Sequence, residues 1–225
     1  MAISVDTVYQ RVLVLANKEQ RGYITPQEFN LFADQAQKDI FEQYFYDLNQ
    51  FLRTPSNSDE YADIIDNLRE KISIFERTGI ITSGNISTSG NLYRLGTVKY
   101  QNIEVEEVQQ NEILYINNSP LTKPTIKRPV YVRTGEMTIQ IYPSTIIDAE
   151  CTYVTRPTKP SWGYVVVKDK AMYDPTNRTD FELHSSEEGE LVNKILIYAG
   201  VAIKATDIAQ AAGGLETGKQ QQEKA

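Results

Sequence analysis

The chain has 225 residues, of which 40% are hydrophobic and 24% are charged, and its net charge is −7. The length is enough for one large domain or two small ones, and the acidic balance argues against a general nucleic-acid-binding protein, which needs a basic surface. The single cysteine, Cys151, excludes an intrachain disulfide and fits assembly in a reducing compartment. We predict no signal peptide and no membrane span, because no apolar run approaches the ~18 residues that a span requires.

Three stretches near the N-terminus carry apolar residues at every third or fourth position, which predicts three helices. The first covers residues 4–17, the second extends from Thr25 to Leu52, and the third runs from about Asp59 to Arg77. Because the connections between them are short, an antiparallel bundle is the expected arrangement.

The second predicted helix has the largest apolar load, with five Phe and two Tyr residues. Thr25 and Glu28 have the spacing of a capping box, in which Glu28 reaches back to the Thr25 amide. An apolar face of this size must be buried, either in a core or against another subunit. We therefore treat Phe41, Tyr44 and Phe45 as candidate interface residues.

Between residues 81 and 183 the pattern changes to short β-branched and aromatic runs separated by turns, which predicts an antiparallel β domain, either a sandwich or an open barrel. The predicted strands are Leu92–Leu95, Thr97–Tyr100, Ile113–Ile116, Pro129–Arg133, Met137–Tyr142, Cys151–Thr155 and Trp162–Lys168. Residues 82–90, rich in Ser, Thr, Gly and Asn, are predicted to be a mobile loop. Residues 104–110 fit either a short helix or an irregular edge strand.

A fourth helix is predicted near the C-terminus, where Ser185 and Glu188 have the spacing of a second capping box. The helix is apolar nearly all round, which predicts deep burial or a shared surface with a neighbouring subunit. Ile195, Leu196 and Ile203 are its candidate interface residues, and Ile195→Asp or Ile203→Asp is then expected to block assembly while leaving a folded monomer.

The predicted fold class is α+β. Three N-terminal helices and the C-terminal helix form a helical bundle, with an antiparallel β-sandwich or barrel domain inserted between them. We place the N-terminal part of the helical domain at 1–80, the inserted β domain at 81–183, the closing helix at 184–212 and a flexible tail at 213–225.

No pattern in the sequence has the spacing of a catalytic or cofactor site. The only histidine, His184, and the only cysteine make neither a catalytic triad nor a zinc cluster. Asn17–Glu28 has the length of a calcium loop, but Arg21 occupies a ligand position from which it would repel Ca²⁺. We therefore predict that the protein is not an enzyme and binds no cofactor and no metal.

One basic cluster stands out in this acidic chain: Lys123, Lys127, Arg128 and Arg133, with Tyr131 nearby. Such a cluster is suited to phosphate or to an acidic partner, and an ordinary solvated loop is the competing interpretation. We take Lys127 and Arg128 as further candidate interface residues.

Whole phrases of the sequence resemble structural proteins of tailed bacteriophages, especially marine and crAss-like short-tailed phages. The phrases are Ala16–Phe29, Ile40–Asn49, Asn111–Ile116 with Ser119–Pro124, and Phe181–Glu188 with Leu191–Leu196. The order of helices, β domain and helix is similar to that of head-to-tail adaptors of the tail tubular protein A type.

The resemblance implies a virion component that is assembled in the host cytoplasm. Adaptors of this type form a ring, commonly of about twelve copies, in which each subunit presents two different surfaces to its neighbours. The ring joins the portal to the tail around the DNA channel. The implied partners are further copies of the chain, the portal protein and tail or neck proteins. DNA is expected to pass an acidic wall without specific binding, and no membrane is involved.

Several other functions stay open at this point. A tail-tube ring or another neck protein is the nearest alternative to the adaptor. A capsid decoration protein or a receptor-binding protein would use the β domain and its tyrosines, and a small regulatory or enzymatic domain would need a site that the sequence does not display.

Overall fold

A computed structural model describes residues 2–18, 24–53, 59–88 and 90–202. Within these residues the chain is mixed α+β, with five α-helices and a seven-stranded sheet. It divides into two compact units. The helical unit comprises residues 1–74 and 157–225, and the β unit comprises residues 75–156.

The helical unit contains α1 (Val5–Lys18), α2 (Pro26–Arg53), α3 (Asp59–Ser73) and, after the β unit in sequence, α5 (Glu188–Ala202). Helix α2 packs against both α3 and α5, and α1 packs against α5. The apolar side chains buried most completely in these helices are Val5, Val8, Val12, Phe29, Ala33, Ala36, Leu191 and Ile195. Burial of this apolar area is the main force that holds the helices together.

The predicted capping box at the start of α2 is confirmed. The Thr25 backbone N–H donates to Glu28 Oε2 at 2.9 Å, and the Glu28 N–H donates to Thr25 Oγ1 at 3.3 Å. The Thr25 hydroxyl also donates to the same carboxylate oxygen at 2.7 Å. These bonds satisfy backbone donors that have no partner within the helix.

The pKa of Glu28 is lowered, chiefly because the Thr25 backbone N–H and then its hydroxyl bond to the ionised carboxylate. A lowered carboxyl pKa contributes stability that is present above the ordinary pKa of the group and is lost as the pH falls through the folded-state value. We expect Glu28→Gln to reduce the free energy of unfolding by about 0.5 kcal/mol at neutral pH, and by less in acid. Urea unfolding of both proteins at pH 7 and pH 3 measures this; an equal gap at both pH values would contradict it.

A buried amide links α2 to the segment that precedes α5. Gln37 is fully buried, its Nε2 donates to the Thr158 carbonyl at 2.7 Å, and its Oε1 accepts from the Glu182 N–H at 3.2 Å. The Glu182 carboxylate in turn accepts from the Thr158 N–H at 2.9 Å. Gln37 therefore satisfies backbone groups on two segments that are distant from it in sequence.

We expect Gln37→Leu to lower the free energy of unfolding by about 2 kcal/mol, because it leaves the Thr158 carbonyl and the Glu182 amide without this partner. Gln35→Leu, an exposed position on the same helix, is the matched control and is expected to change it by under about 0.5 kcal/mol. Urea denaturation of both variants measures the difference. Equal losses in the free energy of unfolding would show that the buried Gln37 amide contributes no more stability than an exposed one.

The β unit is built on one sheet with the strand order β2-β1-β7-β3-β4-β5-β6. Its strands are β1 (Glu76–Thr82), β2 (Asn85–Ser87), β3 (Leu92–Tyr100), β4 (Ile103–Glu107), β5 (Val130–Arg133), β6 (Ile139–Tyr142) and β7 (Asp148–Thr155). Neighbouring strands are antiparallel except for β4 and β5, which are parallel.

The two ends of this sheet meet. The Ile86 N–H donates to the Met137 carbonyl at 3.0 Å, and the Ile139 N–H donates to the Gly84 carbonyl at 2.8 Å. These bonds connect the β2 end to the β6 end, so the sheet is nearly closed. Its interior is filled by a cluster that includes Ile81, Val98 and Tyr153.

Two of the local predictions in this unit are wrong. Residues 82–90 were predicted as a mobile loop, but β1 and β2 form a hairpin there, turning through Ser83 (φ 52°) and Gly84 (φ 81°). A Cβ at Gly84 would lie 2.4 Å from the Ile139 carbonyl oxygen, so glycine fits both the left-handed backbone and the close approach. Ile113–Ile116 was predicted as a strand, but it lies in the short helix α4 (Ile113–Asn118).

Helix and strand boundaries also differ elsewhere. The third helix was predicted to reach Arg77, but it ends at Ser73, because the residues from Glu76 onward pair with β7. The ambiguous stretch 104–110 is a strand as far as Glu107.

The last predicted strand, Trp162–Lys168, does not belong to the β unit. Its central residues form β8 (Tyr164–Val167), which pairs with β9 (Lys170–Tyr173) in a separate two-stranded hairpin within the helical unit. Strand β9 was not predicted. The β unit therefore covers residues 75–156, whereas the sequence placed the β domain at 81–183.

The start of the last helix also differs from the prediction. Ser185–Glu187 form a 3₁₀ turn, and the His184 ring nitrogen Nδ1 accepts from the Ser186 N–H at 3.3 Å. Helix α5 then begins at Glu188. The histidine caps this turn in place of the predicted Ser185 capping box, so His184 has a structural role.

Candidate interaction surfaces

The aromatic residues chosen on α2 lie within the helical unit. Phe41 and Tyr44 are buried, and Phe45 is half-buried, with its ring centroid 5.2 Å from that of Phe41. Lys71 from α3 lies over the Tyr44 ring, with Nζ 5.7 Å from the centroid. The prediction that Phe41 and Tyr44 present an interface is therefore wrong, because their apolar area is already buried within one chain.

The candidate interface residues on α5 that the structure describes are also buried within the helical unit. Ile195 and Leu196 are buried, as are Leu191, Val192 and Ala199 on the same helix. Ile203 and the predicted tail 213–225 lie outside the described residues. The nearly all-apolar pattern of α5 thus reflects burial in the helical core, so we now expect Ile195→Asp to unfold the helical unit instead of leaving a folded monomer.

Only some of the cations in the predicted basic cluster are directed to solvent in the structure. Lys127 and Arg128 are exposed, and Arg128 lies 3.8 Å from a Glu106 oxygen. Arg133 folds back onto its own hairpin, where its guanidinium donates to the Gly135 and Glu136 carbonyls at 3.3 and 3.2 Å. The cations that remain directed to solvent belong to one segment, residues 113–128.

We call residues 113–128 the α4 segment. It connects the parallel strands β4 and β5 and begins at Ile113, which packs with Val130 and Val132. Four of its apolar side chains are exposed: Leu114 (66%), Tyr115 (78%), Leu121 (92%) and Ile126 (53%). It also contains three cations and no acidic residue. An exposed apolar patch with a uniform charge is typical of an interaction surface.

The α4 segment has a defined shape. The Lys123 N–H donates to the Ser119 carbonyl at 3.0 Å, and the Thr122 hydroxyl donates to the Ile116 carbonyl at 3.4 Å. Thr125 and Arg128 exchange two backbone hydrogen bonds of 3.0 and 3.2 Å. The exposed side chains are therefore held on an ordered backbone, which lowers the entropic cost of binding.

A second exposed apolar surface is the β8–β9 hairpin of the helical unit. Val165, Val166, Val167 and Met172 are all exposed on it. The turn residues Lys168 (φ 51°) and Asp169 (φ 59°) both adopt left-handed backbone conformations, as two-residue hairpin turns require. Valines exposed on adjacent positions occupy both faces of a strand, so the hairpin offers apolar area on two sides.

Trp162 anchors this hairpin to the helices. Its indole N–H donates to Asp6 Oδ1 at 2.9 Å and its backbone N–H donates to Asn30 Oδ1 at 2.7 Å. The ring stacks near Tyr164 and Tyr173, the first and last residues of the two strands, with centroids 5.9 and 5.6 Å away. This aromatic cluster explains why β8 lies in the helical unit.

The β unit also carries a groove of about 380 Å³ over β1, β3 and β7, lined in part by Thr78, Ile80, Lys99, Glu150 and Cys151. Lys99 and Glu150 lie opposite each other in register, an ordinary cross-strand charge pair. Burial raises the pKa of the Cys151 thiol, which disfavours the thiolate that nucleophilic chemistry requires.

The described residues contain no group of three or more His, Cys, Asp or Glu side chains placed to hold a metal ion. None of the described helices has the length and apolar character needed to cross a membrane.

No family model matches the chain, and no curated protein matches it.

Proposed function

We propose that this chain is a phage virion structural protein that forms an oligomeric ring in the head-to-tail connector, as an adaptor between portal and tail. The observation that carries the proposal is the presence of two different exposed apolar surfaces, the α4 segment and the β8–β9 hairpin. A ring subunit of a connector needs one surface for the next copy and a different surface for the portal or the tail. The resemblance of residues 5 to about 205 to tailed-phage structural proteins supports the same function.

The charge distribution is consistent with a ring around DNA. Residues 75–156 contain eight acidic and eight basic side chains, which leaves 22 of the 30 acidic and 15 of the 23 basic side chains to the helical unit. The whole net charge of −7 therefore belongs to the helical unit. We infer that this unit lines the channel, because an acidic wall lets DNA pass without the counterion release that drives binding.

The finer architecture belongs to the same proposal. We infer that α1, α2, α3 and α5 form an antiparallel bundle, supported by the packing of α2 on α3 and α5 and of α1 on α5. We infer that the β unit is an open barrel rather than a sandwich, supported by the hydrogen bonds that join the β2 and β6 ends of its sheet.

The proposal is tested by the mass of the purified chain in solution, alone and then with a purified portal protein. A ring of about twelve copies in either condition would support the connector function. A monomer in both conditions would contradict it, and a trimer would favour a receptor-binding protein instead. Imaging of the particle would then locate the ring between portal and tail or elsewhere in the neck.

A further inference from the structure

We propose that the α4 segment of one copy docks on the acidic face of α3 in the next copy, and that this is the heterologous contact of the ring. The inference rests on the proposed function, because it assumes that copies of the chain associate. Charge, exposure and residue spacing among the described residues identify α3 of the next copy as the partner of the α4 segment.

The α4 segment carries positive charge that the described residues of its own chain do not neutralise. Lys123 and Lys127 are exposed and have no carboxylate within salt-bridge distance among the described residues. Among the described residues, the ion pair of Arg128 is the long contact of 3.8 Å to Glu106, with both side chains largely exposed. Leu121, between the α4 helix and Lys123, is 92% exposed. The segment therefore presents cations beside apolar side chains, a combination that an acidic protein surface complements.

The complementary surface lies on α3. Asp63, Asp66 and Glu70 are exposed and follow one another by three and four residues, which places them on one face of the helix. Leu68 and Ile72, which are buried, lie on the opposite face. Asp63 and Glu70 have no basic partner within salt-bridge distance among the described residues, and Asp66 is 3.6 Å from Arg69.

The two surfaces are complementary in charge. Asp63 and Glu70 are seven residues apart, or about 10 Å along a helix axis, so a segment with lysines at two positions can contact both. Because the two surfaces differ, the contact can repeat head to tail and build a ring, whereas a two-fold dimer would have to form it twice, reciprocally.

Two charge-reversal variants test the contact. K123E/K127E reverses the α4 segment and leaves Arg128 with Glu106 intact, and D63K/E70K reverses the face of α3. Each variant alone places like charges against each other, so we expect self-association to weaken at least about tenfold. R94E/K159E makes the same charge change at two exposed positions outside both surfaces and is the matched control, expected to assemble as the wild type does.

An equimolar mixture of the two reversed variants is the decisive sample. In the mixture, the acidic α4 segment of K123E/K127E meets the basic α3 face of D63K/E70K. The native α4 segment of D63K/E70K meets the native α3 face of K123E/K127E. We therefore expect alternating assemblies, although neither variant assembles alone. Analytical ultracentrifugation and native mass spectrometry measure this in the condition in which the wild type assembles, and circular dichroism checks that each variant is folded.

The outcomes separate the contact from the function. If the wild type assembles and K123E/K127E assembles equally well, the docking contact is wrong and the connector function stands. If both variants lose assembly but the mixture does not regain it, the α4 segment contacts another partner and the assignment to α3 is overturned. A wild type that remains monomeric with and without portal contradicts both proposals.

Discussion

Ile195→Asp is expected to unfold the helical unit and not to give a folded chain that merely fails to assemble. The Ile195 side chain is 0% exposed, on a helix whose neighbouring positions Leu191 and Ala199 are also buried. A carboxylate in this place has no partner to compensate the loss of its hydration, and the substitution also removes buried apolar area. We expect a loss of more than about 4 kcal/mol, which is most of the stability of an ordinary domain.

The measurement is thermal unfolding followed by far-UV circular dichroism, with Leu121→Asp as the matched control. Leu121 is 92% exposed, so the same change from an aliphatic side chain to a carboxylate is expected to alter the free energy of unfolding by under about 0.5 kcal/mol. A cooperative Ile195→Asp transition close to that of the wild type would mean that α5 is not part of the core.

The contrast between buried Ile195 and exposed Leu121 shows what the periodicity of apolar residues can and cannot predict. The spacing of apolar residues on α2 and α5 correctly predicts helices with large apolar faces. It does not distinguish a face buried in its own chain from a face buried against a subunit, because both require the same residues. Ile195 and Phe41 are core residues, whereas Leu121 and Leu114, which belong to no periodic pattern, are the exposed ones.

Errors in the β unit have a different physical origin. Short runs such as Ile113–Ile116 are rich in β-branched and aromatic residues, and local preference alone does not separate a buried strand from one turn of helix. Here only Ile113 is buried, Leu114 and Tyr115 are exposed, and Ile116 is half-buried in α4. The hairpin at residues 82–90 was missed because its turn needs left-handed residues, Ser83 and Gly84, which give a loop-like composition.

The polar interactions within the helical unit could not be predicted from the sequence, because their partners are distant along the chain. Gln37 bonds to Thr158 and Glu182, more than a hundred residues away along the chain. Trp162 and Asp6 are separated by 156 residues. Only the tertiary fold brings such groups together, whereas the Thr25–Glu28 capping box is local and was predicted correctly.

The ion pair between Lys71 and Glu187 gives the second large expected effect. The Glu187 carboxylate is almost completely buried, with 2% of the side chain exposed, and Lys71 Nζ lies 2.6 Å from Oε1. The Ser186 hydroxyl donates to the same oxygen at 3.0 Å. Lys71 itself is 22% exposed and lies over the Tyr44 ring. The pair joins α3 to the 3₁₀ turn that precedes α5.

Removing the cation should be far more harmful than neutralising the anion. Lys71→Met keeps much of the side-chain volume but removes the ammonium group that lies against the buried Glu187 carboxylate, which is expected to cost about 3–5 kcal/mol. Glu187→Gln leaves Lys71 able to reach water, so we expect a loss of about 1–2 kcal/mol. The double variant should lose less than the sum of the two single losses, because neither charge is then left without the other.

Urea unfolding of the four proteins in this cycle measures the coupling, with Lys38→Met as a control for the loss of a lysine. Lys38 also pairs with a carboxylate, Asp34 at 2.7 Å, but its side chain is 53% exposed, so its loss is expected to cost under about 0.5 kcal/mol. Equal losses for Lys71→Met and Lys38→Met would show that burial of Glu187 does not strengthen the pair. A large asymmetry would identify Lys71 as the residue that permits a buried charge beside Tyr44, and would explain why this tyrosine belongs to the core of one chain and not to a subunit interface.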